Sequence, residues 1–256
     1  MDSVEISTLD KKLIVRFSNK SIELPVEWQK KVDLYWQSLL NDGKKYTRGE
    51  VFTMTKNQED ETNHNILVEK TDYAHYLYCQ NVDSDMNGYG IRVIFTACLV
   101  ETSDNKIILG EMGGHTARAG IYQLAGGGID NSDLKDGIFD LKKNISKELL
   151  EELNIDVGVD SRIKSFDLAY IKQGGKTKKT AVIFRVILNE TSNDFLKKYS
   201  LFTKNLQQNK KDPEFGSIVT LEKSADKIEQ FFKKNHDKCD EYMEPLINFA
   251  YSNIAN

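Results

Sequence analysis

Three consecutive glycines, Gly126-Gly127-Gly128, are followed across a polar segment by Lys147-Glu148-Leu149-Leu150-Glu151-Glu152-Leu153-Asn154-Ile155, and no other stretch limits the fold of this chain as strongly. Without Cβ atoms the first part can let other groups approach its backbone closely. The second part has the apolar spacing of a helix. At about 3.6 residues per turn each residue advances roughly 100°, so Glu148, Glu151 and Glu152 share an arc of roughly 100°, with Leu149, Leu150 and Leu153 on the other side. The leucines are expected to be buried and the carboxylates to converge. Like charges on adjacent turns destabilise a helix by about a few tenths of a kcal/mol per pair. A hard divalent cation, which prefers oxygen ligands, would compensate them.

The rest of the chain supplies strands and helices around this unit. Val4 to Thr8 and Leu13 to Phe17 read as a first hairpin. Pro25 suits the first position of a helix whose apolar residues, from Trp28 to Leu40, recur at three- and four-residue spacing until Asn41-Asp42-Gly43. Glu50 to Thr55 and Asn65 to Lys70 read as two strands, and Asp72 to Cys79 as a short aromatic helix. Asn81 to Gly90, rich in Asn, Asp, Ser and Gly, divides an N-terminal module (1–88) from a principal domain (89–256). Beyond it come strands over Ile91 to Val100 and Lys106 to Glu111, a loop over Gly113 to Gly120, and Ile121 to Leu124 leading into the glycines. Ile163 to Lys172 and Thr180 to Leu188 read as paired strands. Ser192 to Tyr199 reads as a helix capped by Ser192 or Asn193, Ser217 to Leu221 as a strand, and Ser224 to Lys234 and Asp240 to Tyr251 as two last helices. Strands on both sides of one central helix, with more helices after them, predict an α/β (α+β) fold: a mixed sheet in an α/β/α sandwich with a small N-terminal α+β module.

Composition excludes several classes of function. With 39% hydrophobic and 29% charged residues, the chain matches a soluble globular protein, and no apolar run approaches the roughly eighteen residues of a membrane span. Met1-Asp2-Ser3-Val4-Glu5 lacks the basic and apolar regions of a signal peptide, which predicts a cytoplasmic protein. Cys79, Cys98 and Cys239 fit neither a disulfide framework nor a metal site and are expected to be reduced. A formal charge of −4 is the wrong sign for a nucleic-acid partner, and Lys176 to Lys179 beside Gly174-Gly175 read first as turn residues.

Lys147 to Ile155 resembles the second half of the Nudix box, G-x5-E-x7-R-E-U-x-E-E-x-G-U, where U is apolar. The E-U-x-E-E core matches throughout. Lys147 stands in place of the box's Arg and Asn154 in place of its Gly, and the first half is longer by about six residues within Asp130 to Asp140. Counted back from Lys147, the first acid of the box falls on Phe139, with Asp136 and Asp140 the nearest carboxylates, and its role stays unassigned. The resemblance implies a magnesium cofactor, with manganese as a substitute, held by Glu148, Glu151, Glu152 and a backbone carbonyl from Gly127. It implies catalytic roles for Glu151 and Glu152, with Lys147 orienting the trio as a point charge that lacks arginine's bidentate fork. Glu214, in the late loop Pro213-Glu214-Phe215-Gly216, is a candidate further ligand or general base, with a solvated loop acid as the alternative. His115 and Arg118, in the loop before the glycines, and Lys178 with Lys179 are candidates for contact with phosphate. Tyr73 or Tyr76 is a candidate for the nucleotide pocket, with core packing as the alternative.

The N-terminal region, with Trp36 upstream of Lys45 to Met54 and then Thr71 to Leu77 before Asn81, resembles the pre-Nudix region of the UDP-sugar diphosphatase group. That implies magnesium-dependent hydrolysis of the diphosphate bond of a nucleoside diphosphate linked to another group, led by UDP-glucose or UDP-galactose giving UMP and the sugar 1-phosphate. The alternatives are a hydrolase of ADP-ribose or a dinucleotide, and a Nudix module that binds nucleotides without cleaving them. The expected partner is a small-molecule nucleotide, with no nucleic acid and no membrane. The sequence leaves the oligomeric state open.

Overall fold

The computed structural model describes residues 3–116 and 118–252. Its elements in chain order are β1 (Val4–Thr8), β2 (Lys12–Ser21), α1 (Val26–Asn41), β3 (Glu50–Glu59), β4 (Asn63–Asp72), α2 (Tyr73–Asn81), β5 (Ile94–Glu101), β6 (Lys106–Met112), β7 (Tyr122–Gln123), β8 (Leu134–Lys135), β9 (Ile138–Phe139), α3 (Leu141–Leu153), β10 (Ile163–Gly174), β11 (Thr180–Leu188), α4 (Ser192–Gln208), β12 (Phe215–Glu222), α5 (Ala225–Asn235) and α6 (Met243–Tyr251). The apolar runs of β5 and β11 have few polar residues because both faces of each strand are covered. They pair in parallel, Thr180 opposite Ile94 through Ile187 opposite Glu101, in the middle of a sheet ordered β1-β10-β11-β5-β6-β12, with β7 joined to β6. On one face Cys98, Val100, Val182 and Phe184 meet Ile145, Leu149 and Leu153 of α3 and Phe195 and Tyr199 of α4. On the other, Ala97, Leu99, Ala181 and Ile183 meet Ile228 and Phe232 of α5 and Leu246 and Ile247 of α6. This is the mixed sheet between helical layers that the sequence predicts. Among the described residues no helix is long and apolar enough to cross a membrane.

A second sheet is ordered β3-β4-β2-β9-β8. Helices α1 and α2 are packed through Val32, Trp36, Ala74, Leu77 and Tyr78. Pro25 is the residue before α1, with extended ψ, rather than its first helical residue.

The first hairpin does not form. β1 runs antiparallel to β10, Val4 opposite Gly174 and Thr8 opposite Tyr170, while β2 runs parallel to β4. Local turn chemistry loses to burial: on β10, Val4 and Ile6 pack against the α5 and α6 core, whereas Leu13, Val15 and Phe17 face the α3 core. The chain also crosses the expected boundary at 88 twice, since β1 belongs to the larger sheet and β8 and β9 to the smaller one. The residues that lengthen the glycine-to-helix segment are this β8–β9 hairpin, whose Ile138 pairs with Arg16 of β2. α4 runs to Gln208 because Leu196 and Phe202 continue its apolar stripe, and Thr191 rather than Ser192 or Asn193 caps it.

Candidate active site

Helix α3 begins where the side chain of Asp140 accepts a hydrogen bond from the backbone N–H of Lys143 at 2.9 Å, an ordinary N-cap. It ends at Asn154, whose φ of 54° and ψ of 36° are left-handed. Asparagine is among the few residues besides glycine that enter this region readily, which is how it serves where the box has Gly. The buried stripe of α3 is Ile145, Leu149, Glu152 and Leu153, while Leu150 is 46% exposed and Glu151 faces solvent. The helix is therefore rotated from the orientation expected for the leucines: Glu152 lies inside the apolar arc and Leu150 outside it.

That rotation drives two carboxylates into the glycine loop. The loop is fixed on β5, where Thr96 N–H donates to the Gly127 carbonyl at 2.9 Å and Cys98 N–H to that of Ala125 at 2.8 Å. Gly126 N–H donates to Glu152 Oε2 at 3.0 Å. The Glu148 carboxylate lies against Gly127, so close that a Cβ there would be 2.6 Å from Oε1. Gly127 meets the Glu148 carboxylate through its missing side chain, and its carbonyl, the expected metal ligand, accepts from Thr96 N–H and keeps a second lone pair. Burial pushes Glu148 up to about 7 against the pull of Lys147, with Glu151, Glu214 and Asp133 adding to the push. Burial, with Glu214 and Glu148 close by, pushes Glu152 up to about 10 despite the Gly126 amide. Glu214 approaches from the loop before β12 and is raised by desolvation, in spite of its bond to Glu152 and of His115 nearby. His115 is exposed beside Gly113, whose N–H donates to the Glu214 carbonyl at 2.8 Å.

Lys147 holds the other side of the cluster. Its Nζ is 2.7 Å from Asp130 Oδ2 and 3.8 Å from both Asp133 Oδ1 and Glu148 Oε1. Asp133 is buried, accepts from Asn144 Nδ2 at 2.8 Å and from Asp130 N–H at 3.0 Å, and keeps Oδ1 without a hydrogen-bond partner. Asn144 also donates to the Gly128 carbonyl at 3.1 Å and accepts from the Thr96 hydroxyl. Sequence reasoning missed Asp133 because it counted back from the helix across the insertion. Counted forward from Gly127, G-x5-E lands on Asp133, and the added hairpin follows it. Asp136 sits instead in the β8–β9 turn and Asp140 caps α3.

Among the described residues no three His, Cys, Asp or Glu side chains meet at one metal-sized point. The donor set nevertheless fits a hard cation: every donor is oxygen, burial and neighbouring acids raise Glu148 and Glu152, and the Lys147 ammonium beside them is shared with Asp130 and Asp133. This has a measurable cost. The folded pKa values of Glu148 and Glu152 lie above their ordinary value of 4.5, so the folded state retains protons that the unfolded state has lost. The stability they contribute is complete below about pH 4.5 and is lost as pH rises through the two folded values. Metal-free protein is expected to show a Tm that falls from about pH 5 to about pH 9, with millimolar magnesium restoring it most at the upper end. A flat profile insensitive to magnesium would contradict the burial of these acids beside one another.

Against the glycine loop lies a cleft of about 420 Å³, within the usual range for small-molecule sites. Its walls come from both sheets: Tyr73 and Tyr76 of α2, Phe95 of β5, Gly126 to Gly128, and Thr177 and Lys179 of the β10–β11 turn. Tyr73 and Tyr76 are stacked with centroids 5.6 Å apart, and Tyr73 also packs edge-on to Trp36 and Tyr46. Tyr73 is therefore both core and wall. Lys179 Nζ stands 5.3 Å from the Tyr76 ring centroid. Of the expected phosphate contacts, Arg118 lines the cleft but is paired with Asp240 at 2.6 Å, Lys178 lies in the turn at φ 50°, and Lys179 rather than Lys178 forms the wall.

No family model and no curated protein matches the chain. Among solved structures it is similar to a protein of Deinococcus radiodurans, with a TM-score of 0.43 and 10% identity over 62% of this chain and 83% of the other. It is also similar to a bifunctional NMN adenylyltransferase/ADP ribose pyrophosphatase of Francisella tularensis complexed with AMP and a manganese ion, with a TM-score of 0.38 and 11% identity over 64% of this chain and 42% of that one. A NUDIX hydrolase of Nitrosomonas europaea gives a TM-score of 0.38 and 11% identity over 63% of this chain and 88% of the other. These likenesses are too distant to assign the chain to a family.

Proposed function

We propose that the protein is a divalent-cation-dependent hydrolase of the diphosphate bond in a nucleoside diphosphate joined to a second group, with UDP-glucose or UDP-galactose as leading substrate and UMP plus sugar 1-phosphate as products. The observation that carries this reading is the double use of one loop. Gly126 and Gly127 touch Glu152 and Glu148 and also line the aromatic cleft. A nucleoside in the cleft would therefore place its phosphates beside the carboxylates.

Each group then has a distinct task. The cleft orients the nucleoside through Tyr76, Tyr73 and Phe95, with Lys179 the wall ammonium nearest the aromatic pair. Glu148, Glu152 and Glu214, with Glu151 at the exposed edge, would hold magnesium, and manganese would serve in its place. When bound, such an ion neutralises charge on phosphate oxygens and acidifies coordinated water. Lys147, anchored by Asp130, keeps Glu148 turned toward the loop. Glu214, exposed in the loop before β12 and bonded to Glu152, is the candidate to take the proton from attacking water, and desolvation raises its basicity. In the reaction the water oxygen joins one phosphorus and the bridging oxygen leaves on the other phosphate.

The test is a panel of UDP-sugars, ADP-ribose and dinucleotides incubated with magnesium, with products identified by mass spectrometry. UMP and a sugar 1-phosphate as the dominant products are expected. ADP-ribose cleavage would keep the chemistry and replace the substrate. A second reading has an observation of its own: the carboxylates do not converge on a single point, as suits a module that binds without cleaving. Calorimetric binding of a nucleotide without turnover would favour it.

A further inference from the structure

One carboxylate outside the catalytic cluster organises a wall of the cleft. Glu241 lies before α6, far in sequence from the β10–β11 turn, yet three groups of that hairpin converge on it. Thr177 Oγ1 donates to Glu241 Oε1 at 2.7 Å, Lys176 N–H to Oε2 at 3.0 Å, and Lys172 Nζ to Oε1 at 3.3 Å. Lys172 is 1% exposed and spends its other donors on the carbonyls of Gly174, at 2.8 Å, and Lys179, at 3.0 Å. A buried ammonium and a carboxylate thus tie both ends of the turn 174–179. Gly175 meets the same carboxylate: at φ 80°, a Cβ on it would lie 2.6 Å from Glu241 Oε1. Such a turn, with Gly174, Gly175 and Lys178 all at positive φ, has little packing of its own to fix it.

The neighbours of Glu241 do the same for other walls. Asp240 holds Arg118 at 2.6 Å and donates its N–H to the Tyr122 carbonyl at 3.1 Å, while Tyr242 packs edge-on to Phe95 with centroids 5.9 Å apart. Three consecutive residues therefore join the loop 113–120, the turn 174–179 and β5 around one cleft.

We infer that Glu241 is a positioning residue for nucleotide recognition: it locks the turn 174–179 so that Thr177 and Lys179 face Tyr76 across the cleft, and this raises affinity by ordering that wall before ligand arrives. The inference rests on the proposed nucleotide site, but the locking is measurable without any ligand. An ordered wall spares the ligand the entropy of fixing it, so the benefit falls on binding and not on the chemical step.

The experiment uses full-length protein as wild type, Glu241→Ala, Glu241→Gln and Gly175→Ala. Hydrogen exchange in the absence of ligand is expected to show the amides of Lys176 and Lys178 losing protection in Glu241→Ala and Gly175→Ala, while those of β5 and β11 keep theirs. Titration with UDP and with ADP is expected to give binding about tenfold weaker in both variants, and turnover a KM raised by a similar factor with kcat within about threefold. Glu241→Gln, which keeps an acceptor but not the charge opposite Lys172, is expected between wild type and alanine. Unchanged protection of the turn overturns the locking. Released turn amides with unchanged affinity overturn its role in recognition, as does a parallel fall of kcat and Tm, the mark of a merely structural residue. If wild type binds neither nucleotide, the nucleotide site itself fails, a result separate from the exchange data. Gly175→Ala perturbs the contact from the turn side, so a folding defect confined to the Glu241 variants leaves the decision to it.

Discussion

Glu152→Gln is expected to lower magnesium-dependent turnover by about a thousandfold, roughly 4 kcal/mol of transition-state stabilisation, while leaving the metal-free protein more stable than wild type near pH 8, where wild type must retain a proton on folding that the unfolded chain has lost. The two halves of this expectation come from the same environment. Burial and the nearby acids push Glu152 up to about 10, so without metal its side chain is protonated at pH 8, and glutamine reproduces the shape and polarity of that acid. Its amide oxygen can still accept from Gly126 N–H. Glutamine cannot supply the negative charge that a cation would draw out, and the rise in Tm on adding magnesium should vanish along with activity. Steady-state assays and thermal unfolding with and without magnesium separate the two. Wild-type turnover in this variant would remove Glu152 from the mechanism, and a large loss of metal-free stability would show that its role is structural.

The glycine triplet gives a second large effect, with internal controls in adjacent positions. At Gly126 a Cβ would meet the Thr96 carbonyl oxygen at 2.1 Å, a backbone atom inside the central sheet. Gly126→Ala must shift a strand and is expected to destabilise the fold by about 3 kcal/mol or more. At Gly127 the Cβ would meet the Glu148 carboxylate at 2.6 Å, a side-chain terminus that can move aside. Gly127→Ala should therefore fold and lose activity, by about a hundredfold for a displacement near 1 Å. At Gly128 nothing lies within 4 Å of the added atom, and alanine there should be nearly silent. Circular dichroism for stability and product release for activity check all three. Equal behaviour of the 126 and 127 variants would contradict the assignment of Gly127 to the carboxylate.

These glycines also indicate how far the sequence could be read. The triplet, the helix after it and the apolar strands β5 and β11 were legible because each depends on local spacing or local composition. Helical periodicity placed Glu148, Glu151 and Glu152 on one arc, but an arc drawn on an isolated helix cannot tell where the neighbouring sheet will cut it: burying Ile145, Leu149 and Leu153 on β5 turns Glu152 inward and Leu150 out. Asp133 was hidden by an insertion that displaced the count. The pairing of β1 with β10 was hidden for a different reason. Val4 to Thr8 carries the same short-strand pattern whichever partner it meets, and the choice is made by a core assembled far along the chain. Glu241 and Lys172 had no sequence signal either. Their meaning comes from a carboxylate and an ammonium that only the tertiary fold places together.

The route of β1 and β2 through the two sheets bears on the order in which the molecule can assemble. During synthesis β1 emerges early, but the strand it must pair with, β10, follows only after α3 has been made, and β2 meets β9 only when the segment after the glycines is available. The N-terminal strand therefore waits as an unpaired edge, and contacts of such long sequence separation are slow to form. The two sheets cannot mature one after the other like beads on a string. Docking of the β8–β9 segment completes the smaller sheet and docking of β1 completes the larger one, and both need late parts of the chain, so a folding intermediate with either sheet finished alone should be scarce, and an arrested chain would expose β1 and β2 to association with other chains.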